Sequence, residues 1–211
     1  MNKKKMLIPF ILVIVICIAV LITVFSFGSD KANTNEAVIP EIDLKAVDNL
    51  MIGSEPPKLL YADKEKVIFN CGGVYVYDIK NELLAKSFDT SPLLSEKYTK
   101  YGCFVTKDGK QIIFSVTKES EGVIARYGYS FENNLVKEVT EKENAVYREN
   151  MFQCTSLDYN DELYQKSSGI LANISNHEYI YLTFQDWKVS TIRIVHVKDG
   201  KETYYNVFDD V

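Results

Sequence analysis

The first 28 residues constrain this chain more than any other stretch, because a basic start precedes a long apolar run. Three lysines occupy positions 3–5, and an uncharged apolar run extends from Met6 to Gly28. About 20 consecutive apolar residues are enough to cross the hydrocarbon core of a bilayer as a helix. The run therefore predicts a single transmembrane helix that anchors the rest of the chain.

A cleaved secretory signal is the alternative interpretation of this run. Signal peptides carry an apolar segment of roughly 7–15 residues before a small-x-small cleavage site. The run here is longer, and Ser26-Phe27-Gly28 matches such a site weakly. Cys17 is a poor lipoprotein acceptor, because it follows an isoleucine and lies in the middle of the run. We expect residues 1–28 to be retained as an anchor.

The lysines also predict the orientation of this anchor. Three lie before the run and only Lys31 follows it closely, and basic residues stay on the cytoplasmic side of a membrane. The N-terminus is then cytoplasmic, and the rest of the chain lies outside the cytoplasm at the cell membrane. Residues 29–57 are polar and end in Pro56-Pro57, which predicts a tether. A short helix is expected over roughly Leu44–Met51, where apolar residues recur at helical spacing.

The charge balance excludes one large class of partners. The whole chain has 24 basic and 29 acidic residues, and beyond residue 28 the net charge is −8. An acidic domain is not attracted to the phosphates of nucleic acid or to an anionic membrane surface. We therefore expect no nucleic-acid partner, and we expect contact with the membrane only through the N-terminal helix.

Beyond the tether, short apolar and aromatic runs alternate with turn residues, a pattern typical of antiparallel strands joined by hairpins. An extracytoplasmic all-β domain is expected over residues 58–211, in three units. In the third unit, residues 141–168 are expected to form a helix or an irregular loop. The predicted strands are residues 59–61, 67–69, 74–77 and 83–88 in the first unit, 103–105, 111–117, 123–131 and 135–139 in the second, and 179–184, 188–197 and 202–208 in the third.

These units repeat every 45–60 residues or so, with up to four strands each, which resembles the blades of a propeller. Three blades are too few for a closed ring, since closed propellers have at least four. The predicted fold class is mainly β, with antiparallel hairpin repeats after one N-terminal transmembrane helix. The alternatives are an incomplete stack of blades, a rolled sheet or sandwich, and closure by oligomerisation. The hairpins of any all-β fold produce the same spacing.

No catalytic, cofactor-binding or metal-binding motif is evident. His177 and His196 do not form the H-E-x-x-H spacing that places two imidazoles on one helix face for zinc, and no Cys-x-x-Cys occurs. The Gly-x-Ser-x-Gly elbow of serine hydrolases is absent too. We interpret both histidines as surface or cross-strand residues, and we expect neither catalytic activity nor a cofactor.

Three cysteines lie beyond the predicted anchor, at Cys71, Cys103 and Cys154. A pair of cysteines outside the cytoplasm can be oxidised. Cys71 and Cys103 flank strands of adjacent units and are the predicted disulfide pair. Because the number is odd, the third cysteine is a free thiol or forms an intermolecular bridge.

The aromatic residues near Trp187 have two interpretations. Trp187, Phe184, Tyr181 and Tyr179 could form a platform on which a ligand stacks. The simpler interpretation is a core strand with one exposed interface anchor, because aromatic side chains are mostly buried.

Several stretches carry a resemblance to a known family. They are Lys58–Asn70, Val74–Asp78, Cys103–Lys110, Tyr181–Phe184 and Glu202–Tyr205. They resemble the extracytoplasmic C-terminal region of clostridial membrane proteins of the BlaR1-like M56 peptidase family. The chain lacks that family's multi-span membrane part and its H-E-x-x-H metal site, so peptidase activity does not carry over. The resemblance implies a stand-alone relative of a sensor or accessory domain.

These observations favour a membrane-tethered, extracytoplasmic, β-rich binding, sensing or accessory domain with no catalytic site. Its expected partner is an envelope protein or a cell-wall ligand. The alternative hypothesis is an extracytoplasmic hydrolase, secreted or anchored, whose site combines scattered carboxylates with a histidine. A histidine in a cleft beside a carboxylate would favour this alternative.

Overall fold

A computed structural model of the chain describes residues 39–53, 55–93, 99–118 and 121–209. All of them belong to one compact unit, Glu36–Val211. The predicted anchor at residues 1–28, and the tether as far as residue 38, lie outside the described residues. From residue 39 on, the predicted tether is instead part of the folded domain, because Val47 and Ile52 are buried in its core. Within the described ranges, no helix combines the length and the apolar character needed to cross a membrane.

Strands in three antiparallel sheets dominate the described residues, which confirms the predicted mainly β fold. Strands that follow one another in sequence lie side by side in every sheet, so each sheet is a meander of hairpins. The first sheet contains β1 (Lys58–Ala62), β2 (Lys66–Asn70), β3 (Val74–Asp78) and β4 (Leu83–Phe88); the second contains β5 (Thr99–Val105), β6 (Gln111–Lys118), β7 (Gly122–Ser130) and β8 (Leu135–Glu138); the third contains β9 (Thr155–Ser156), β10 (Ile170–Ser175), β11 (Glu178–Thr183), β12 (Arg193–Lys198) and β13 (Lys201–Asn206).

Short helices connect and cover these sheets. The helix expected near residue 44 is a 3-10 helix that ends at Asn49, and the Asp43 carboxylate caps its start by accepting the Lys45 N–H at 3.1 Å. The helices of the described residues are 3-10 helices at Leu44–Asn49, Ser91–Leu93 and Val189–Thr191, and α-helices α1 (Glu141–Glu149) and α2 (Glu162–Lys166).

The first sheet lies between the other two, and both of its faces are buried. Phe69, Tyr75 and Tyr77 on one face pack in a cluster with residues of the third sheet, such as Ile180. The opposite face packs in a second cluster with residues of the second sheet, such as Phe114. Double burial explains why β2 and β3 are continuous apolar runs, whereas a strand with one wet face alternates apolar and polar residues.

The third sheet differs from the prediction at three places. One is β9, because Thr155–Ser156 pairs with β10 inside the segment expected to be a helix or a loop. The expected strand at 188–197 is in fact the 3-10 helix Val189–Thr191 followed by β12, which begins at Arg193. No strand was predicted over Ile170–Ser175, yet this segment is β10 and pairs with β11. β10 contains Asn173 and a register shift next to it, and this irregularity obscures its period of two.

The predicted hairpin turn near residue 199 has a specific geometry. Asp199 and Gly200 both have positive φ, at 51° and 76°. A two-residue connection with positive φ at both positions is a type I′ turn, whose twist matches that of the flanking strands. This turn sets the register that pairs Val197 with Glu202 and Val195 with Tyr204.

Candidate functional site

A polar and aromatic groove of about 500 Å³ lies on the outer face of the third sheet. This face points away from the first sheet, because Tyr181, Val195 and Val197 pack there in a separate small cluster. Strands β11 and β13 form the base of the groove, and the end of α2 forms one side. We call it the aromatic groove; it is lined by Gln165, Lys166, Ser167, Tyr181, Thr183, Phe184, Gln185, Glu202 and Tyr204.

The Glu202 carboxylate is the acidic group of the aromatic groove. It accepts hydrogen bonds from the Tyr204 hydroxyl and, at 3.5 Å, from the Tyr181 hydroxyl. Burial raises the pKa of Tyr181, and the hydrogen bond to Glu202 raises the pKa of Tyr204. Both phenols are therefore protonated donors at neutral pH. Because its oxygens are engaged by these donors, Glu202 serves as a fixed acceptor rather than as a free nucleophile.

Trp187 sits beside the groove on a backbone turn of unusual conformation. Asp186 and Trp187 have φ angles of 52° and 54°, in the left-handed region that is costly for a bulky residue. Contacts on both sides hold this turn: the Trp187 carbonyl accepts the Ile52 N–H at 2.7 Å, and the Thr191 hydroxyl accepts the Gln185 N–H at 2.9 Å. These hydrogen bonds hold the backbone from which the Trp187 side chain projects.

Burial divides the four aromatic residues singled out from the sequence. Tyr181 is buried, Tyr179 and Phe184 are half-buried, and Trp187 is 52% exposed. The Phe184 and Trp187 rings meet edge to face with their centroids 5.2 Å apart. The arrangement fits a core strand with one exposed anchor. Because Phe184 also lines the groove, Trp187 extends its aromatic surface.

The two histidines occupy different environments. His177 is exposed in the turn between β10 and β11. His196 is a cross-strand residue, as expected, and its Nε2 lies 2.9 Å from Oε1 of Glu178. Glu178 belongs to no sequence motif. It is buried, and its other oxygen lies 3.8 Å from Nζ of Lys64. The His196 side chain is 16% exposed and the Glu178 side chain is 6% exposed.

The three described cysteines are free thiols. Cys71 and Cys103 line one pocket, and the Asn70 side chain donates a hydrogen bond to the Cys103 sulfur at 3.3 Å. The Cys154 sulfur lies 3.5 Å from the Leu59 carbonyl oxygen. Burial raises the pKa of Cys71 and Cys103 to about 11 and that of Cys154 to about 12. No disulfide joins Cys71 to Cys103 in the structure, and the predicted pair stays a prediction for measurement.

Comparison with known proteins gives no relative. The chain matches no protein-family model, and no curated protein or solved structure is significantly similar to it. The resemblance to the BlaR1-like family stays a hypothesis. The described residues also contain no group of three or more histidine, cysteine or acidic side chains placed to hold a metal ion. Function must therefore be inferred from the side chains of the groove.

Proposed function

We propose that the chain is a membrane-tethered, extracytoplasmic binding domain whose aromatic groove binds a cell-wall glycan. One observation carries this proposal: two exposed aromatic side chains, Trp187 and Tyr204, border a groove lined by amides and hydroxyls. A sugar ring has apolar C–H faces and a hydroxyl rim, so it suits a site that combines aromatic surfaces with hydrogen-bonding groups. Gln165, Gln185 and Thr183 supply groups that both donate and accept.

In this proposal, the N-terminal part of the chain holds the aromatic groove at the outer side of the cell membrane. Residues 1–28 anchor the chain in the cell membrane, and the tether is confined to residues 29–38, which precede the folded residues. The three meanders act as blade-like repeats that form a stable base for the site. The apolar N-terminal run supports the anchor. The hydrogen-bonded turn at Asp186-Trp187 supports the binding site, because a backbone that is ordered in advance loses less freedom when a ligand binds.

The tryptophan allows a direct test, because Trp187 is the only one in the chain. Its fluorescence in the full-length protein, held in detergent micelles, should change on titration with soluble oligomers of N-acetylglucosamine. We expect Tyr204→Ala to weaken this binding about tenfold, since stacked aromatic contacts contribute about 0.5–1.5 kcal/mol beyond burial. Tyr159→Ala is the matched control, because Tyr159 is 71% exposed and does not line the groove.

Two results of this titration would refute the glycan proposal, and a cross-linking result would refute it independently. One is a fluorescence signal that stays constant at all oligomer concentrations. The other is an equal loss of binding in the Tyr204 and Tyr159 variants. If envelope proteins rather than glycan cross-link to the groove in intact cells, the ligand is a protein and the glycan proposal fails.

The placement at the membrane has its own test. An anchored protein stays in the membrane pellet after an alkaline wash, whereas a protein with a cleaved signal is released. Protease added to intact protoplasts should degrade the body of the protein if it lies outside the cytoplasm. Release by the wash, or protection from the protease, would contradict the tethered orientation.

The hydrolase hypothesis has one observation in its favour, the His196–Glu178 pair. A histidine hydrogen-bonded to a carboxylate is the arrangement that orients a general base. Neither side chain lines the aromatic groove, and Glu178 is 6% exposed. Turnover of an extracytoplasmic substrate that is abolished by His196→Leu would favour the hydrolase, whereas unchanged glycan binding in that variant supports the binding domain.

A further inference from the structure

Two lysines of the first sheet, Lys66 and Lys86, are held by aromatic rings. The Lys66 ammonium lies 4.5 Å from the ring centroid of Phe131, and the Lys86 ammonium lies 5.4 Å from that of Tyr129. A cation over an aromatic face is attracted by the negative face of the ring. Among the described residues, neither ammonium group forms an ion pair with a carboxylate.

Both ammonium groups border one cavity of about 520 Å³ between the first and second sheets. Lys66, Lys86 and Val76 share the face of the first sheet that packs toward the second, as the pairing of adjacent strands shows. Tyr129 lies near the end of β7, and Phe131 directly follows this strand. We call this cavity the lysine pocket; it is lined by Glu65, Lys66, Val76, Asp78, Lys80, Ala85, Lys86, Tyr129, Phe131 and Asn134.

Asn134 adds oriented donors to the lysine pocket. Its side-chain oxygen accepts from the Lys86 ammonium at 2.5 Å and from the Tyr129 hydroxyl at 2.6 Å. Because two donors occupy this oxygen, the orientation of the amide is fixed, and its NH₂ group remains available to an acceptor. Asn134 holds this position with φ at 58°, which asparagine tolerates better than most residues.

The carboxylates of the pocket do not neutralise the two lysines. Asp78 accepts the Asn81 N–H at 2.9 Å and the Asn81 side-chain amide at 2.8 Å, and these hydrogen bonds lower the pKa of Asp78. Its carboxylate oxygens are therefore bound within its own turn, and they form no ion pair with Lys66 or Lys86. Glu65 is exposed. With Lys80, three lysines face two acids, so this pocket is locally cationic in a domain that is acidic as a whole.

We propose that the lysine pocket is an anion-binding site, separate from the aromatic groove, for the phosphate or carboxylate group of a small ligand. The anion lies between the Lys66 and Lys86 ammonium groups and accepts hydrogen bonds from both. The Asn134 amide contributes a third donor. The rings of Phe131 and Tyr129 hold the two lysines in place, so less side-chain freedom is lost on binding.

Lysine acetylation footprinting of the full-length protein tests this proposal. Acylating reagent is added with and without glycerol 3-phosphate, inorganic phosphate or acetate, and each lysine is quantified by peptide mass spectrometry. We expect the anions to slow acetylation of Lys66 and Lys86 at least about threefold, because a bound anion blocks the amines. Lys198, an exposed lysine at the end of β12, is the internal control and should not change. Comparing the protection given by glycerol 3-phosphate and inorganic phosphate with the protection given by acetate distinguishes a phosphate site from a carboxylate site.

Single substitutions give the second measurement. We expect Lys66→Gln and Lys86→Gln each to weaken anion binding about tenfold by calorimetry, since a hydrogen bond to a charged group contributes more than a neutral one. The control Lys198→Gln should leave binding unchanged. Equal protection of all lysines, or equal binding by the three variants, would overturn the proposal. Because the aromatic groove is on the third sheet, failure here leaves the glycan proposal unaffected.

Discussion

The side chain of Tyr61 lies directly against the backbone of Gly109. A β-carbon built at Gly109 would be 2.5 Å from the Tyr61 hydroxyl and from the adjacent ring carbon. Tyr61 cannot easily withdraw, because its hydroxyl donates to Asp63 at 2.7 Å and its ring packs on Phe152 with centroids 4.7 Å apart. The turn between β5 and β6 thus packs against the first sheet only because position 109 has no side chain.

Gly109→Ala should therefore destabilise the domain. Gly109 has φ of +67°, so alanine adds left-handed backbone strain to the clash with Tyr61. We expect a loss of about 2–4 kcal/mol in the free energy of unfolding. Gly200→Ala is the control, since Gly200 also has positive φ but open space around it, and it should lose only about 1 kcal/mol. Urea denaturation measures both values, and equal losses would contradict the role of the contact.

Substitution at Asp186 separates stability from binding. Glycine adopts the left-handed conformation freely, so Asp186→Gly relieves strain while it adds flexibility to the unfolded chain. We expect the free energy of unfolding to stay within about 0.5 kcal/mol of the original value. Glycan affinity should fall about threefold or more, because Trp187 is then less firmly held. Asp199→Gly, in the hairpin turn beyond β12, should leave affinity unchanged. Unaltered affinity in Asp186→Gly would show that the rigid turn does not assist binding.

The buried His196–Glu178 pair should give a non-additive double-mutant cycle. His196→Leu removes the hydrogen-bonding partner of a carboxylate that is 6% exposed and leaves only Lys64 at 3.8 Å. We expect this variant to lose about 3 kcal/mol of stability, and the double variant with Glu178→Leu to lose less, because no unpaired charge is then buried. Thermal and urea unfolding provide the four values. Simple additivity would mean that the two side chains do not stabilise each other.

The turn at Asp108 should make stability depend on pH in the acid range. The Thr106 hydroxyl donates to the Asp108 carboxylate at 2.7 Å, and this hydrogen bond lowers the pKa of Asp108 below its ordinary value of 3.8. An acid with a lowered folded pKa stabilises the protein above its unfolded pKa, and this contribution is lost as the pH falls through the folded pKa.

Thr106→Val should therefore reduce stability at neutral pH, by about 1 kcal/mol. The difference from the original protein should shrink as the solution is acidified below the ordinary pKa of an aspartic acid. Urea midpoints measured across this pH range test the effect. Asp108→Asn is the control, because it should lower stability at neutral pH and abolish most of the same pH dependence. A difference that stays constant down to strongly acidic pH would contradict the assignment.

The thiols should react slowly with alkylating reagents. Since burial raises the pKa of Cys71 to about 11 and that of Cys154 to about 12, very little thiolate is present at neutral pH. We expect iodoacetamide to modify them at least about 100 times more slowly than free cysteine. Slow alkylation that becomes fast only in denaturant supports burial. A mass two hydrogens lower before reduction, with a Cys71–Cys103 cross-linked peptide, would instead establish the predicted disulfide.

The repeated strands could be predicted from sequence because the signals for them are local. The runs in β2 and β3 are continuous and apolar, and the Asp-Gly pairs at 108 and 199 mark tight turns within the chain itself. Two errors have physical causes. β10 was missed because Asn173 and a register shift interrupt its alternation. The strand expected at 188 begins later, since a 3-10 helix precedes it.

The aromatic groove and the lysine pocket could not be predicted from local sequence signals. The aromatic groove combines Gln165, Phe184 and Glu202, which lie on different elements and share no spacing that a motif could capture. In the sequence, only aromatic residues of this region could be identified as candidates for binding. Glutamate is normally a surface residue. The burial of Glu178 follows from the packing of the third sheet against the first. Lys86 and Asn134 meet only because two sheets pack face to face.

The middle position of the first sheet affects how the chain folds during its synthesis. This sheet is synthesised before the other two, yet Phe69 and Tyr75 on one face and Val76 on the other stay uncovered until the later sheets exist. A nascent chain of this kind exposes apolar surface on two sides at once and is prone to aggregate. The domain should therefore depend on a chaperone that binds apolar segments until residue 208, which closes the last contact with Tyr75, has emerged.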